Sequence, residues 1–163
     1  MRVIAGGGSR QESSYLGLLA CGQKTDIVLI HDAVRPFVSK EIIRQNVQTA
    51  IRYEAVDTCI PSADTIVHSV NQETITAIPA RASYLRGQTP QSFAYPFILQ
   101  AHEKARADGV ANATDYCSLV LRLGKDVHIV AGSEENMKIT TPHDFALAEF
   151  YLQRLSLRAK KCF

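Results

Sequence analysis

The stretch that most limits how this chain can fold runs from Asp26 to Phe37, Asp-Ile-Val-Leu-Ile-His-Asp-Ala-Val-Arg-Pro-Phe. Ile27 to Ile30 is an unbroken apolar run, too short for a helix and rich in β-branched side chains, so it reads as a strand buried on both faces. His31 and Asp32 then stand at its carboxyl end, where open α/β sheets bind ligands. Arg35 follows in a turn that Pro36 stiffens, and a helix capped by Ser39 opens behind it. A carboxylate in that place can hold a divalent cation, and an arginine three residues on can fork onto a phosphate. A turn aspartate and a surface arginine fit the same residues equally well.

The rest of the chain alternates in the same way. Val3–Ala5 reads as a short strand before three glycines, and a helix is expected from about Gln11 to Cys21. The helix after Ser39 runs to about Tyr53, with Ile43, Val47, Ala50 and Ile51 as its buried stripe. Val56–Pro61 is a strand. Residues 95–107 form a helix with Pro96 at its start, in which His102 reads as structural. Thr114 caps a helix to Leu123, Asp126–Ala131 is a strand, and Thr141–Pro142 opens a last helix packed through Phe145, Ala148, Leu152 and Leu155. Between Ser62 and Gln91, Thr65–Val70 and Thr74–Ile78 alternate apolar with polar around Asn71-Gln72-Glu73, the pattern of a hairpin with one wet face. Together these imply a three-layer α/β domain, its sheet mostly parallel, with a projecting hairpin arm over residues 62–91.

At 163 residues the chain is one domain, and a net charge of +2 gives no argument for nucleic acid or a membrane surface. No apolar run reaches the length of a membrane span. Cys21, Cys59, Cys117 and Cys162 lack metal or redox spacing and read as reduced thiols, three of them in core-like contexts, of a cytoplasmic protein.

Five blocks taken together, Gly6-Gly-Gly-Ser-Arg10-x-x-Ser13, His31-Asp-Ala-Val-Arg-Pro-Phe37, Gly87-Gln-Thr-Pro-Gln-Ser-Phe93, Ala113-Thr-Asp115 and Asn136-Met-Lys-Ile-Thr140, resemble the cytidylyltransferases that act on 2-C-methyl-D-erythritol 4-phosphate or D-ribitol 5-phosphate. The resemblance implies a Rossmann-like α/β/α fold of the nucleotide-diphospho-sugar transferase type. It also implies transfer of CMP from CTP to a polyol phosphate with release of pyrophosphate. On this reading Gly7, Arg10, Ser13, Asp32 and Ala33 bind the nucleotide, Asp32 holds Mg²⁺, and Lys138 stabilises the transition state. Arg35, Thr65, Arg81, Thr89 and Thr114 bind the acceptor. The arm would cross to a second subunit of a homodimer and deliver Arg81 there. The Asp64 and Gly87 blocks favour ribitol phosphate and the last helix favours methylerythritol phosphate, with a slight preference for ribitol phosphate.

The family's Gly-rich triphosphate loop and Pro-Lys motif have no match in these residues. The domain is therefore expected to be N-terminally incomplete and not to turn over CTP by itself. The alternative function is a non-catalytic remnant that dimerises or binds polyol phosphate. Asp32, facing a cleft, is expected to serve ligand and metal with little part in stability.

Overall fold

The computed structural model describes residues 2–111, 113 and 115–160, the last five by backbone alone. Four strands, β1 (Ile27–Ile30), β2 (Ala55–Pro61), β3 (Leu85–Ala94) and β4 (His128–Ala131), form one sheet in the order β1-β3-β2-β4. The helices are α1 (Arg10–Cys21), α2 (Lys40–Tyr53), α3 (Tyr95–Ala107), α4 (Tyr116–Leu121) and α5 (Pro142–Lys160). β2 and β4 pair parallel, while β3 runs antiparallel to both β1 and β2. Three strands thus share the expected direction, and β3 is inserted against them.

The layers follow the burial pattern. Leu18, Val28, Phe93, Ile98, Tyr116 and Leu119 form one core, where α1, α3 and α4 cover one sheet face. Ala50, Val56 and Val130 form the other, under α2. A side chain such as Ile98, fully buried, contributes on the order of 2 kcal/mol.

β3 is an unusual central strand. Gln88 to Phe93 are buried in succession, and four of them, Gln88, Thr89, Gln91 and Ser92, are polar. Each needs a partner inside the protein. Ser92 donates to Asn46 Oδ1 (3.0 Å), Asn46 donates to Thr58 Oγ1 (2.9 Å), and Thr58 donates to the Pro90 carbonyl (2.6 Å). Pro90 has no N–H, and the ladders leave it out. β1 ends its pairing at Gln91, and the register of β2 shifts between Val56 and Thr58. This polar core corrects the expected stripe of α2. Ile42, Asn46 and Ala50 face inward, whereas Ile43 and Ile51 are exposed.

Other expectations change too. Residues 3–5 make no strand and pair with none of the four strands of the sheet. The arm occupies 62–84, because β3 already begins at Leu85. Its turn forms as expected, with Gln72 at φ 61° and Asn71 Oδ1 accepting from the N–H groups of Glu73 and Thr74. Its two expected strands reduce to one bridge between His68 and Ala77, as fits a hairpin with nothing behind it. Among the described side chains of α5, Ala148 alone is buried. Phe145, Leu152 and Leu155 face outward. Cys117 is buried and Cys59 half-buried, but Cys21 is exposed, and Cys162 lies outside the described residues. Asp115, not Thr114, caps α4, accepting from Ser118 N–H at 3.1 Å. Thr114 also lies outside the described residues.

Candidate active site

The site grows from the end of β1. The chain turns at Asp32-Ala33-Val34-Arg35, closed by Arg35 N–H donating to the Asp32 carbonyl at 2.9 Å. Ala33 lies exposed on that turn. The backbone N–H of Asp32 donates to Thr89 Oγ1 of β3 at 3.0 Å. Thr89 Oγ1 lies 2.9 Å from His31 Nδ1, and His31 Nε2 lies 3.0 Å from the Arg35 carbonyl. A carbonyl only accepts, so Nε2–H donates to the Arg35 carbonyl, and the ring bridges that carbonyl and the Thr89 hydroxyl. The Thr89 hydroxyl is therefore committed on both sides and only 5% exposed. It holds the Asp32 turn in place, where the sequence suggested an open phosphate donor.

Three cations meet the Asp32 carboxylate. Arg10 from the start of α1 lies at 3.2 Å, Lys138 from the loop before α5 at 3.3 Å, and Arg35 at 3.5 Å. Burial alone would raise the Asp32 pKa. The hydrogen bond and charge of Lys138, then the charges of Arg10 and Arg35, outweigh it and hold the carboxyl below its ordinary value. Asp32 stays ionised, and three cations around one carboxylate leave a positive cluster suited to phosphate. Arg10 and Lys138 are about half exposed, open to an incoming anion, while Arg35 is 11% exposed.

The supporting residues explain how three loops meet. Ser9 caps α1, accepting from Glu12 N–H, and Glu12 reaches back to Gly8 N–H at 2.7 Å, a near relative of the capping box. Gly7 N–H donates to Ser13 Oγ at 3.0 Å, which ties the glycine loop to the helix that carries Arg10. A Cβ on Gly7 would run into the Glu12 side chain. Asn136, fully buried, donates to Gln88 Oε1 (3.1 Å) and the Thr89 carbonyl (2.8 Å), and its own carbonyl accepts from Arg35 (2.8 Å). Ile139 N–H donates to the Val34 carbonyl, tying the Lys138 loop to the Asp32 turn. Asn136 stood in a recognised block, but only Lys138 was singled out there. The apolar-period reading gives no weight to a buried amide.

The structure thus brings together Gly7, Arg10, Ser13, Asp32, Ala33, Arg35, Thr89 and Lys138. It does not bring in the arm. Arg81 donates to the Ala63 carbonyl at 2.9 Å beside a hollow of about 600 Å³ at the arm's root, and Thr65 is exposed. No hydrogen bond or ion pair among the described residues joins either to the Asp32 cluster. For a metal, Asp32 is the carboxylate that Arg10, Arg35 and Lys138 share, and no group of three or more His, Cys, Asp or Glu among the described residues could cage an ion. One carboxylate suits a cation that draws its other ligands from phosphate and water, as Mg²⁺ does.

Comparison with known proteins shows the family and the fold. Residues 1–154 match the family described as IspD, 2-C-methyl-D-erythritol 4-phosphate cytidylyltransferase. The chain is 42% identical over 156 residues to the 2-C-methyl-D-erythritol 4-phosphate cytidylyltransferase of Geotalea uraniireducens, covering 94% of this chain and 66% of that one. It is 35% identical over 161 residues to the ribitol-5-phosphate cytidylyltransferase of Lactiplantibacillus plantarum, covering 96% and 69%. Among solved structures, the 4-diphosphocytidyl-2C-methyl-D-erythritol synthase of Anaerococcus prevotii superposes with a TM-score of 0.86 at 32% identity, covering 93% of this chain and 70% of that one. The 2-C-methyl-D-erythritol 4-phosphate cytidylyltransferase of Thermus thermophilus gives 0.83 at 33%, covering 92% and 72%. The chain spans about two thirds of the length of the curated relatives it matches. On this match and this fold, the chain belongs to the 2-C-methyl-D-erythritol 4-phosphate cytidylyltransferase (IspD) family.

Proposed function

We propose that this chain serves CTP-dependent cytidylyl transfer to a polyol phosphate, with release of pyrophosphate. The observation that carries this reading is the convergence of Arg10, Arg35 and Lys138 on Asp32 at the end of β1. Both reactants are anions. An acceptor phosphate oxygen must approach the α-phosphorus of CTP in line as the bond to pyrophosphate breaks, and that needs positioning and charge neutralisation rather than a covalent nucleophile. Arg10 and Lys138 would take up charge on the triphosphate. Lys138, a point charge on a flexible stem and about half exposed, would follow the charge as it moves to the leaving group. Arg35, clamped by Asn136 and Asp32, would present a fixed face to the acceptor phosphate. Asp32 would hold Mg²⁺, which supplies neutralisation of the phosphate oxygens when bound.

The acceptor is a sugar-alcohol phosphate, either 2-C-methyl-D-erythritol 4-phosphate or D-ribitol 5-phosphate, the two named for its relatives. Thr65 and Arg81 would enter from the arm of a second copy. The exposed apolar residues Val67, Val70, Ile75 and Ile78 support such a homodimer. No helix among the described residues is long and apolar enough to cross a membrane.

The test is incubation of the chain with CTP, Mg²⁺ and each acceptor, reading pyrophosphate and the CDP-polyol. Product above the protein-free rate supports the reading and identifies the acceptor. Binding of a polyol phosphate without product favours a binding and dimerising role. Failure to bind CTP or either acceptor refutes both.

A further inference from the structure

Behind Arg10 lies a column of rings that the proposed reaction does not use. Arg106 of α3 sits with Cζ 4.5 Å from the centre of the Tyr15 ring. Tyr15 lies 6.0 Å from His102, and His102 lies 5.9 Å from Tyr116, each pair tilted by about 30°. At the other end Arg10 Cζ stands 5.0 Å from the centre of the Tyr116 ring, and the same guanidinium reaches Asp32 at 3.2 Å. Tyr116 and His102 are 2% and 0% exposed. Neither ring nitrogen of His102 has a hydrogen-bond partner among the described residues, and burial, then Arg106, pushes its pKa down to about 4. The ring between the two tyrosines is neutral at pH 7.

Tyr116 is fixed from three sides. Its hydroxyl bonds Ser14 Oγ. Its backbone N–H donates to Gln91 Oε1 at 3.3 Å, and Gln91 in turn donates to Asp57 and Asp115. His102 backs the ring. Arg10 is a long side chain, about half exposed, and each contact that fixes its direction offsets some rotamer entropy. A fixed aromatic face can hold a guanidinium in one direction through the ring quadrupole.

We propose that Tyr116 is a positioning residue for the nucleotide site, its ring presenting Arg10 to Asp32 and to the CTP phosphates, with His102 and Tyr15 holding that ring from behind. The affinity part of this proposal rests on the functional reading above; the placement of Arg10 does not. Tyr116 follows the cap of a short helix, a place where no motif or periodicity marks a functional side chain.

The test begins without ligand. In the NMR spectrum of the wild-type chain, the Arg10 δ-protons, assigned with Arg10→Lys, are expected to be shifted upfield by the Tyr116 ring. Tyr116→Phe keeps that shift and Tyr116→Leu abolishes it. Random-coil shifts in the wild type, or a shift unchanged in Tyr116→Leu, overturn the proposal. Should Tyr116→Leu not fold, the wild-type and Tyr116→Phe spectra still decide it. CTP titration then separates the two readings. Tyr116→Leu is expected to weaken CTP binding about three- to tenfold with acceptor binding unchanged, and to add nothing in an Arg10→Ala background. Full additivity of the two changes overturns the proposal. A wild-type chain that shows the ring shift but binds no CTP supports the positioning of Arg10 and overturns the functional reading.

Discussion

Replacing Asp32 by Asn should cost the folded protein about 2 kcal/mol at pH 7, contrary to what a cleft-facing carboxylate suggests from sequence. The change keeps the size of the side chain and removes the charge that separates Arg10, Arg35 and Lys138. Two of the partners are about half exposed, and such pairs contribute roughly 0.2–1 kcal/mol each. Arg35 is 11% exposed, and stranding a buried charge costs about 3–5 kcal/mol, which partial solvation here reduces to about 1 kcal/mol. The pH dependence gives the assay its second arm. The folded-state pKa of Asp32 is lowered, so its contribution is present above the unfolded carboxylate pKa of about 4 and is lost as pH falls through the folded value. Urea denaturation of both proteins should therefore show a gap of about 2 kcal/mol at pH 7 that narrows as pH falls below the ordinary carboxylate range. A gap under about 0.5 kcal/mol at pH 7, or one that persists undiminished in acid, would refute the reasoning.

Further outcomes follow from the same contacts. Asn136→Ala strips donors from Gln88 and Thr89 and should lose about 2–4 kcal/mol in urea denaturation. Asn46→Ala should cost a similar amount, and Ser92→Ala should cost less on that background than alone, since Ser92 has already lost its acceptor; equal costs would deny the coupling. Deleting residues 65–78 should convert a dimer into a folded monomer by ultracentrifugation, and a wild-type monomer at micromolar concentration would rule out the arm as an interface. Arg81→Ala should weaken polyol phosphate binding about tenfold, roughly 1.4 kcal/mol, with CTP affinity unchanged.

The parts of this fold that could be read in the sequence are those written locally. β1 announces itself as an apolar run, α2 by its Ser39 cap, α3 by Pro96 near its start, and the arm's turn by Asn71-Gln72. Asp32 and Arg35 could be marked from their place at a strand end, whereas Arg10 and Lys138 stood out only through the resemblance of their blocks, and the structure brings the four side chains together. What escaped sequence reading depends on pairing at a distance. Residues 86–93 were expected to return to the sheet, but nothing local says that their polar side chains are buried at its centre, with Ser92 met by Asn46, Gln88 by Asn136 and Gln91 by Asp57 and Asp115 from other segments. An asparagine that completes a buried network looks in sequence like one that faces water. Thr89 was recognised as important, but its hydroxyl works inward, on Asp32 and His31. Tyr116 carries no local signal at all, since its meaning comes from the guanidinium lying over it.

The most direct test of the central claim is calorimetric titration of CTP with Mg²⁺ into the wild-type chain and into Lys138→Met. If the Asp32 cluster is the nucleotide phosphate site, Lys138→Met weakens CTP binding at least about tenfold while the melting temperature barely moves, because an ion pair this exposed contributes less than about 1 kcal/mol to the fold. Equal CTP affinity in the two proteins would contradict it.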